Sequence, residues 1–165
     1  MIPARRLRLY LDTSVISHWD AGDRRGGITR EFFRVVQVRP DEYELVVSPM
    51  TIQELTAAPD PKRRILFAAM QMMGCSELSE HDGAKDLAQL YISEGVLGAS
   101  HINDLTHVAY AVLARCDCII SWNMRHLVHI RTIDRVNAVN FLFHYPGINI
   151  VTPEFITGVT FNDNV

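Results

Sequence analysis

Short apolar runs recur along this chain, and each is separated from the next by enough residues for a crossover helix. They cover residues 7–12, 44–48, 75–78, 118–122 and 148–152. Strands connected in this way lie parallel in a layered α/β domain, whereas a sandwich needs only short hairpin connections. Pro49 stops the second run and Pro153 closes the last. The run at 75–78 is the weakest of the set.

The intervening segments read as helices. Thr13 and Ser14 are placed to cap a short helix after the first run. Residues 27–38 carry an apolar face of Ile28, Phe32, Phe33, Val35 and Val36, ended before Pro40. Further helices are expected over about 49–57, 61–73, 81–93 and 103–115. The last of these is apolar apart from Asp104, Thr106 and His107, as a helix buried against a sheet would be. Residues 22–27 (Gly-Asp-Arg-Arg-Gly-Gly) read as a loop.

Three acids stand at the joints of this pattern. Asp12 ends the first apolar run, Glu54 follows the second, and Asp104 opens the apolar helix. In a parallel sheet the strand ends and helix starts of different units meet at one edge, where such folds bind ligands. Each acid alone reads as a helix cap or a surface charge. Together, in a low dielectric, they repel one another by several kcal/mol unless a cation or proton is shared. No basic residue adjoins them in sequence, and their hard oxygens suit Mg²⁺ or Mn²⁺.

Composition narrows the alternatives. The 165 residues fit a single domain, and 48% hydrophobic with 21% charged residues marks a globular chain. No apolar run approaches membrane-spanning length, and the N-terminus has no signal-peptide core, so a cytoplasmic protein without membrane contact is expected. A net charge of −3 speaks against bulk nucleic-acid binding through a basic surface. Local clusters at Arg5/Arg6/Arg8, Arg24/Arg25/Arg30 and Lys62/Arg63/Arg64 remain candidates for phosphate contacts. Cys75, Cys116 and Cys118 are too few for a disulfide framework and read as buried thiols. Cys116, Cys118, His126 and His129 superficially match a zinc pattern, but residues 116 and 118 would share a core-facing strand face. His107 reads as a packed or partly exposed helix residue, with a substrate role as the lesser alternative. His101 is a candidate to face the cleft.

Four segments in order resemble the motifs of PIN-domain nucleases. They are Leu9-Tyr-Leu-Asp12-Thr-Ser-Val-Ile-Ser, Ser48-Pro-Met-Thr-Ile-Gln-Glu54-Leu, Asn103-Asp104-Leu-Thr-His-Val-Ala-Tyr-Ala and Cys116-Asp-Cys-Ile-Ile-Ser121-Trp-Asn123-Met-Arg-His126-Leu. The tail Ile148-Asn-Ile-Val-Thr-Pro153-Glu resembles the family's last strand. The resemblance implies a three-layer α/β/α domain with a mainly parallel, roughly five-stranded sheet. It implies Mg²⁺- or Mn²⁺-dependent RNA cleavage, with Asp12, Glu54 and Asp104 as the metal-binding acids. Small members of the family resemble VapC-type toxins, which are held by a small antitoxin and often form homodimers.

One departure stands out. Many members carry a fourth acid in the last motif, where this chain has Asn123 and, three residues on, His126. Asn123 can still orient a ligand or water through its amide, and His126 can pair with phosphate or act as a general acid. Ser14 and Ser121 are candidates to hydrogen-bond the acids from behind. Two competing readings follow. One is a PIN scaffold of weak or no activity that binds RNA or protein. The other is a phosphatase with Asp12 as nucleophile, which would want a second Asp where Ser14 stands.

Overall fold

The computed structural model describes residues 5–158. Its five strands form one all-parallel sheet: β1 (Leu7–Leu11), β2 (Tyr43–Val47), β3 (Ser76–Glu77), β4 (Cys118–Ile120) and β5 (Asn149–Val151). The spatial order is β3-β2-β1-β4-β5, with Leu9 opposite Leu45 on one side and Cys118 on the other. The expected three-layer α/β/α architecture is therefore the observed one.

Alternation along the strands divides the core in two. Tyr10, Val46, Ile119 and Ile150 point to one face, where α5 (Asp82–Ser93), α6 (Ile102–Leu113) and α7 (Ile130–Leu142) cover them. Leu9, Leu11, Leu45, Val47 and Ile120 point to the other. There they meet α1 (Thr13–Ser17), α2 (Arg24–Val38), α3 (Pro49–Thr56) and α4 (Lys62–Met72). A short α8 (Glu154–Thr157) ends the described chain. No described helix is long and apolar enough to cross a membrane.

Several local expectations need correction. The segment 22–27 is not a loop throughout, because α2 begins at Arg24. Asp23 caps it by accepting the Gly26 N–H at 2.9 Å, which supplies the start signal that the glycines obscure. Gly26 is required there, since an added Cβ would stand 2.0 Å from the Ala21 carbonyl oxygen, whereas Gly27 has open space. Gly26→Ala is expected to cost about 1–3 kcal/mol through this overlap. Gly27→Ala should be neutral or slightly stabilising, since alanine is the better helix former. Urea midpoints of the two variants check this; equal midpoints would mean that the turn at Ala21 relaxes freely.

Thr13 and Ser14 lie inside α1 rather than capping it. Asp12 holds the N-cap position, without a side-chain cap bond, because its carboxylate is engaged elsewhere. Helix α7 was not anticipated from the sequence. Cys116 and Cys118 do not share a face: Cys116 precedes β4 and packs into the first core, while Cys118 packs into the second. All three cysteines are free thiols. Burial pushes those of Cys75 and Cys116 up to about 12, so neither is a thiolate at neutral pH.

Candidate functional site

The strand order reverses direction between β1 and β4, the place where open parallel sheets bind ligands, in a crevice beyond the strands' C-terminal ends. Asp12 leaves β1 there, and Ser121, Trp122 and Asn123 leave β4 beside it. Asp12 is buried, and one carboxylate oxygen, Oδ2, is held by two hydroxyls. Ser121 donates to it at 2.7 Å and Ser14 at 2.5 Å. Each hydroxyl is itself fixed from behind: the Trp122 N–H donates to Ser14 Oγ and the Asn123 N–H to Ser121 Oγ, both at 2.9 Å. Backbone amides thus orient the serines, the serines orient Asp12, and Oδ1 is left free of both hydroxyls.

What meets Oδ1 is an imidazole. His107 Nε2 lies 3.6 Å from Asp12 Oδ1 and 3.0 Å from Glu54 Oε2. The ring is only 1% exposed. Its other nitrogen, Nδ1, sits 2.6 Å from the Tyr10 hydroxyl, which is 2.6 Å from Ser48 Oγ. Ser48 is the N-cap of α3, the helix that carries Glu54, and forms a capping box with Thr51. One hydrogen-bonded chain therefore ties together β1, α3 and α6, the three elements that bear the acids.

Charge follows this geometry. Burial alone would push the His107 pKa down, but the hydrogen bond to Glu54 and the charges of Asp12, Glu54 and Asp104 outweigh it and hold it above 6.5. For Glu54, burial raises the pKa, yet the bond and charge of His107, with Thr13 nearby, bring it below 4.5. The two shifts agree in describing an attractive pair. Thr13 lies close enough to favour the Glu54 carboxylate, yet its buried Oγ1 makes no hydrogen bond of ordinary geometry.

Asp104 stands one helical turn before His107 on α6. Its Oδ2 lies 3.2 Å from His101 Nδ1, and its Oδ1 accepts from the Asn123 amide at 3.2 Å. Asn123 Oδ1 in turn accepts the His126 N–H at 3.1 Å. Both ends of that amide are thus used, and an aspartate at 123 would set a like charge against Asp104. The His101 and His126 rings are tilted together, with centroids 4.1 Å apart, at the half-exposed side of the crevice.

All the predicted site residues therefore reach one end of the sheet: Asp12, Glu54, Asp104 and Asn123, with Ser14, Ser121 and His126 around them. His107, Tyr10 and Ser48 were missed. His107 had a readable signal, because a histidine three residues after Asp104 shares its helix face. No basic residue adjoins the acids in sequence, and it is the fold that brings the His107 imidazole to Asp12 and Glu54.

The donor set fits a divalent cation in chemical kind: the Asp12 and Glu54 carboxylate oxygens, the His107 imidazole nitrogen between them and the Thr13 hydroxyl beside Glu54. Among the described residues, no group of three His, Cys, Asp or Glu side chains already encloses an ion position. Asp12 is fixed by its hydroxyls. The partly exposed Glu54 side chain is the one free to adjust.

The basic clusters are used unevenly. Arg5 pairs with Asp117, Arg6 donates to the Tyr43 carbonyl, and Arg8 pairs with Glu44, all at the sheet's far end from the acids. Lys62 pairs with Asp20, and Arg63 and Arg64 pair with Asp60. Arg25 lies over the Trp122 ring, 5.4 Å from its centroid, beside the crevice. Trp122 itself is packed and donates through Nε1 to Thr29. Compared with protein-family models and with curated proteins, the chain matches none.

Proposed function

We propose that this protein is a metal-dependent endoribonuclease that hydrolyses RNA phosphodiester bonds. The observation that carries the reading is Asp12, buried at the point where the strand order reverses, with Oδ2 held by Ser14 and Ser121 and Oδ1 facing His107, whose Nε2 also meets Glu54. A carboxylate fixed in this way is oriented to bind rather than to stabilise a fold. Asp12 and Glu54 would hold an Mg²⁺ or Mn²⁺ ion, with Asp104 at the same edge. The chemistry such a cation supplies is Lewis-acid polarisation of a phosphoryl oxygen and activation of water.

The remaining residues have complementary work. Asn123 holds Asp104 in place through its amide. His101 and His126 present ring N–H groups on the open side, where an RNA phosphate would arrive. Arg25 is the basic side chain next to the crevice and is suited to a backbone phosphate contact. The role of toxin in a pair with a small antitoxin, and a homodimeric state, rest on the motif resemblance alone.

A second reading is favoured by one observation. His107 already pairs with Glu54 and Asp12, so a scaffold of weak or no activity that binds RNA or protein would need no cation. Incubating the purified protein with a mixed pool of structured RNAs separates the two. With Mg²⁺ or Mn²⁺ the pool should be cut, and EDTA should stop the cutting. Folded protein that cuts nothing under either metal would favour the scaffold.

A further inference from the structure

The acids supply oxygen, but the side chain set most deeply among them supplies nitrogen. His107 Nε2 is 3.0 Å from Glu54 Oε2 and 3.6 Å from Asp12 Oδ1. Around a first-row divalent ion with bonds of ~2.1 Å, neighbouring ligands stand roughly 3.0 Å apart in an octahedron and ~3.4 Å in a tetrahedron. The two observed separations are close to such ligand-to-ligand edges. An ion that took the place of the Nε2 proton would have the imidazole and both carboxylates as neighbours.

The far side of the ring is built to match. Ligating imidazoles carry a hydrogen bond on the second nitrogen, which fixes the ring and selects the tautomer with a free lone pair on the first. Here Nδ1 is paired with Tyr10, and Tyr10 with Ser48, in a fully buried chain. The Tyr10 hydroxyl can accept from Nδ1–H while donating to Ser48 Oγ, so that an incoming cation which displaces the proton shared by Nε2 and Glu54 meets the Nε2 lone pair. Beside Glu54, the Thr13 hydroxyl makes no hydrogen bond of ordinary geometry, and Glu54 is its neighbouring acceptor.

We infer that His107 ligates, through Nε2, the cation proposed at Asp12 and Glu54, and that the site therefore takes Mn²⁺ or a neighbouring first-row transition ion in preference to Mg²⁺. Mg²⁺ favours all-oxygen surroundings and keeps its waters, whereas imidazole nitrogen raises affinity for transition ions. The inference rests on the metal-site reading given above. It adds a ligand that the acidic motifs do not contain.

The test uses the full chain, stripped with EDTA and loaded with Mn²⁺ alone. Pulsed electron paramagnetic resonance on protein made with ¹⁴N- and with ¹⁵N-histidine should show histidine nitrogen coupled to the manganese. The chain has seven histidines, so the assignment needs variants. The coupling should be lost in His107→Gln and kept in His101→Gln and His126→Gln. Tyr10→Phe, which removes only the hydroxyl behind the ring, should weaken Mn²⁺ binding by about 10- to 100-fold. It keeps the test decisive should His107→Gln fail to fold. Mn²⁺ bound in a way that needs Asp12 and Glu54, but without nitrogen coupling, would overturn the ligand and leave the acidic site standing. Folded wild-type protein that binds no Mn²⁺ would overturn both.

Discussion

His107→Leu is expected to destabilise the metal-free protein by about 3 kcal/mol, the low end of the range for breaking a buried ion pair by removing one partner. Leucine fills the volume but leaves Asp12 Oδ1 facing an apolar group and removes the Glu54 bond at 3.0 Å. Tyr10 loses its imidazole partner and keeps Ser48. Asp12 has nowhere to go, since Oδ2 is fixed by both serines, whereas Glu54, with 29% of its side chain exposed, can turn toward water. That escape is why the low end applies. The sign with pH follows from the two shifts. The His107 pKa is raised on folding, so its stabilisation is fully present below 6.5 and fades as pH rises through the raised value. The Glu54 pKa is lowered, so its share is present above 4.5 and fades as pH falls through the lowered value. The gap between wild type and variant should therefore be widest between those limits and shrink toward alkaline pH. Urea denaturation in EDTA across that range measures it; a constant gap would mean that His107 contributes packing and no charge.

The strands were legible because β-branched and aliphatic runs ending in Asp12, Ser48 and Pro153 carry both a period and a stop. Their parallel pairing followed from the lengths between them. The three acids were legible because each stands beside the end or the start of an apolar element. Helix α7 was not, and its composition explains why. It buries Thr132, Val136, Val139 and Asn140 while leaving Ile130, Phe141 and Leu142 exposed, so its apolar residues do not trace one stripe. One of its inward residues is polar: Asn140 accepts from the Tyr91 hydroxyl at 2.6 Å, a partnership between distant elements that no local pattern encodes. The His107–Tyr10–Ser48 chain was hidden likewise. Tyr10 reads as one more strand aromatic, Ser48 as a residue before proline and His107 as a lone polar group in an apolar helix. Only the fold brings Ser48 and His107 each to 2.6 Å from the Tyr10 hydroxyl.

Asp12→Asn should lower RNA cleavage by about 10²-fold or more if the acids act as one cation site, because the charge that holds the ion is removed where it is least exposed to water. The substitution is nearly isosteric, and the fold around it tolerates an amide. Both serine hydroxyls can rotate, and their oxygens keep the Trp122 and Asn123 N–H donors whichever way they turn. Lost activity in a folded variant is then a statement about charge. Ser121→Ala asks a different question: it leaves the charge but removes one donor to Oδ2 and the acceptor for the Asn123 N–H, so a smaller loss is expected. Glu54→Gln and Asp104→Asn should each match Asp12→Asn in size. The decisive comparison is the double variant Asp12→Asn/Glu54→Gln. Residues that act through one ion fail together, so the double variant should fall little below either single one. Losses that multiply instead would mean that Asp12 and Glu54 serve separate steps, and near-wild-type cleavage by Asp12→Asn would remove it from the reaction.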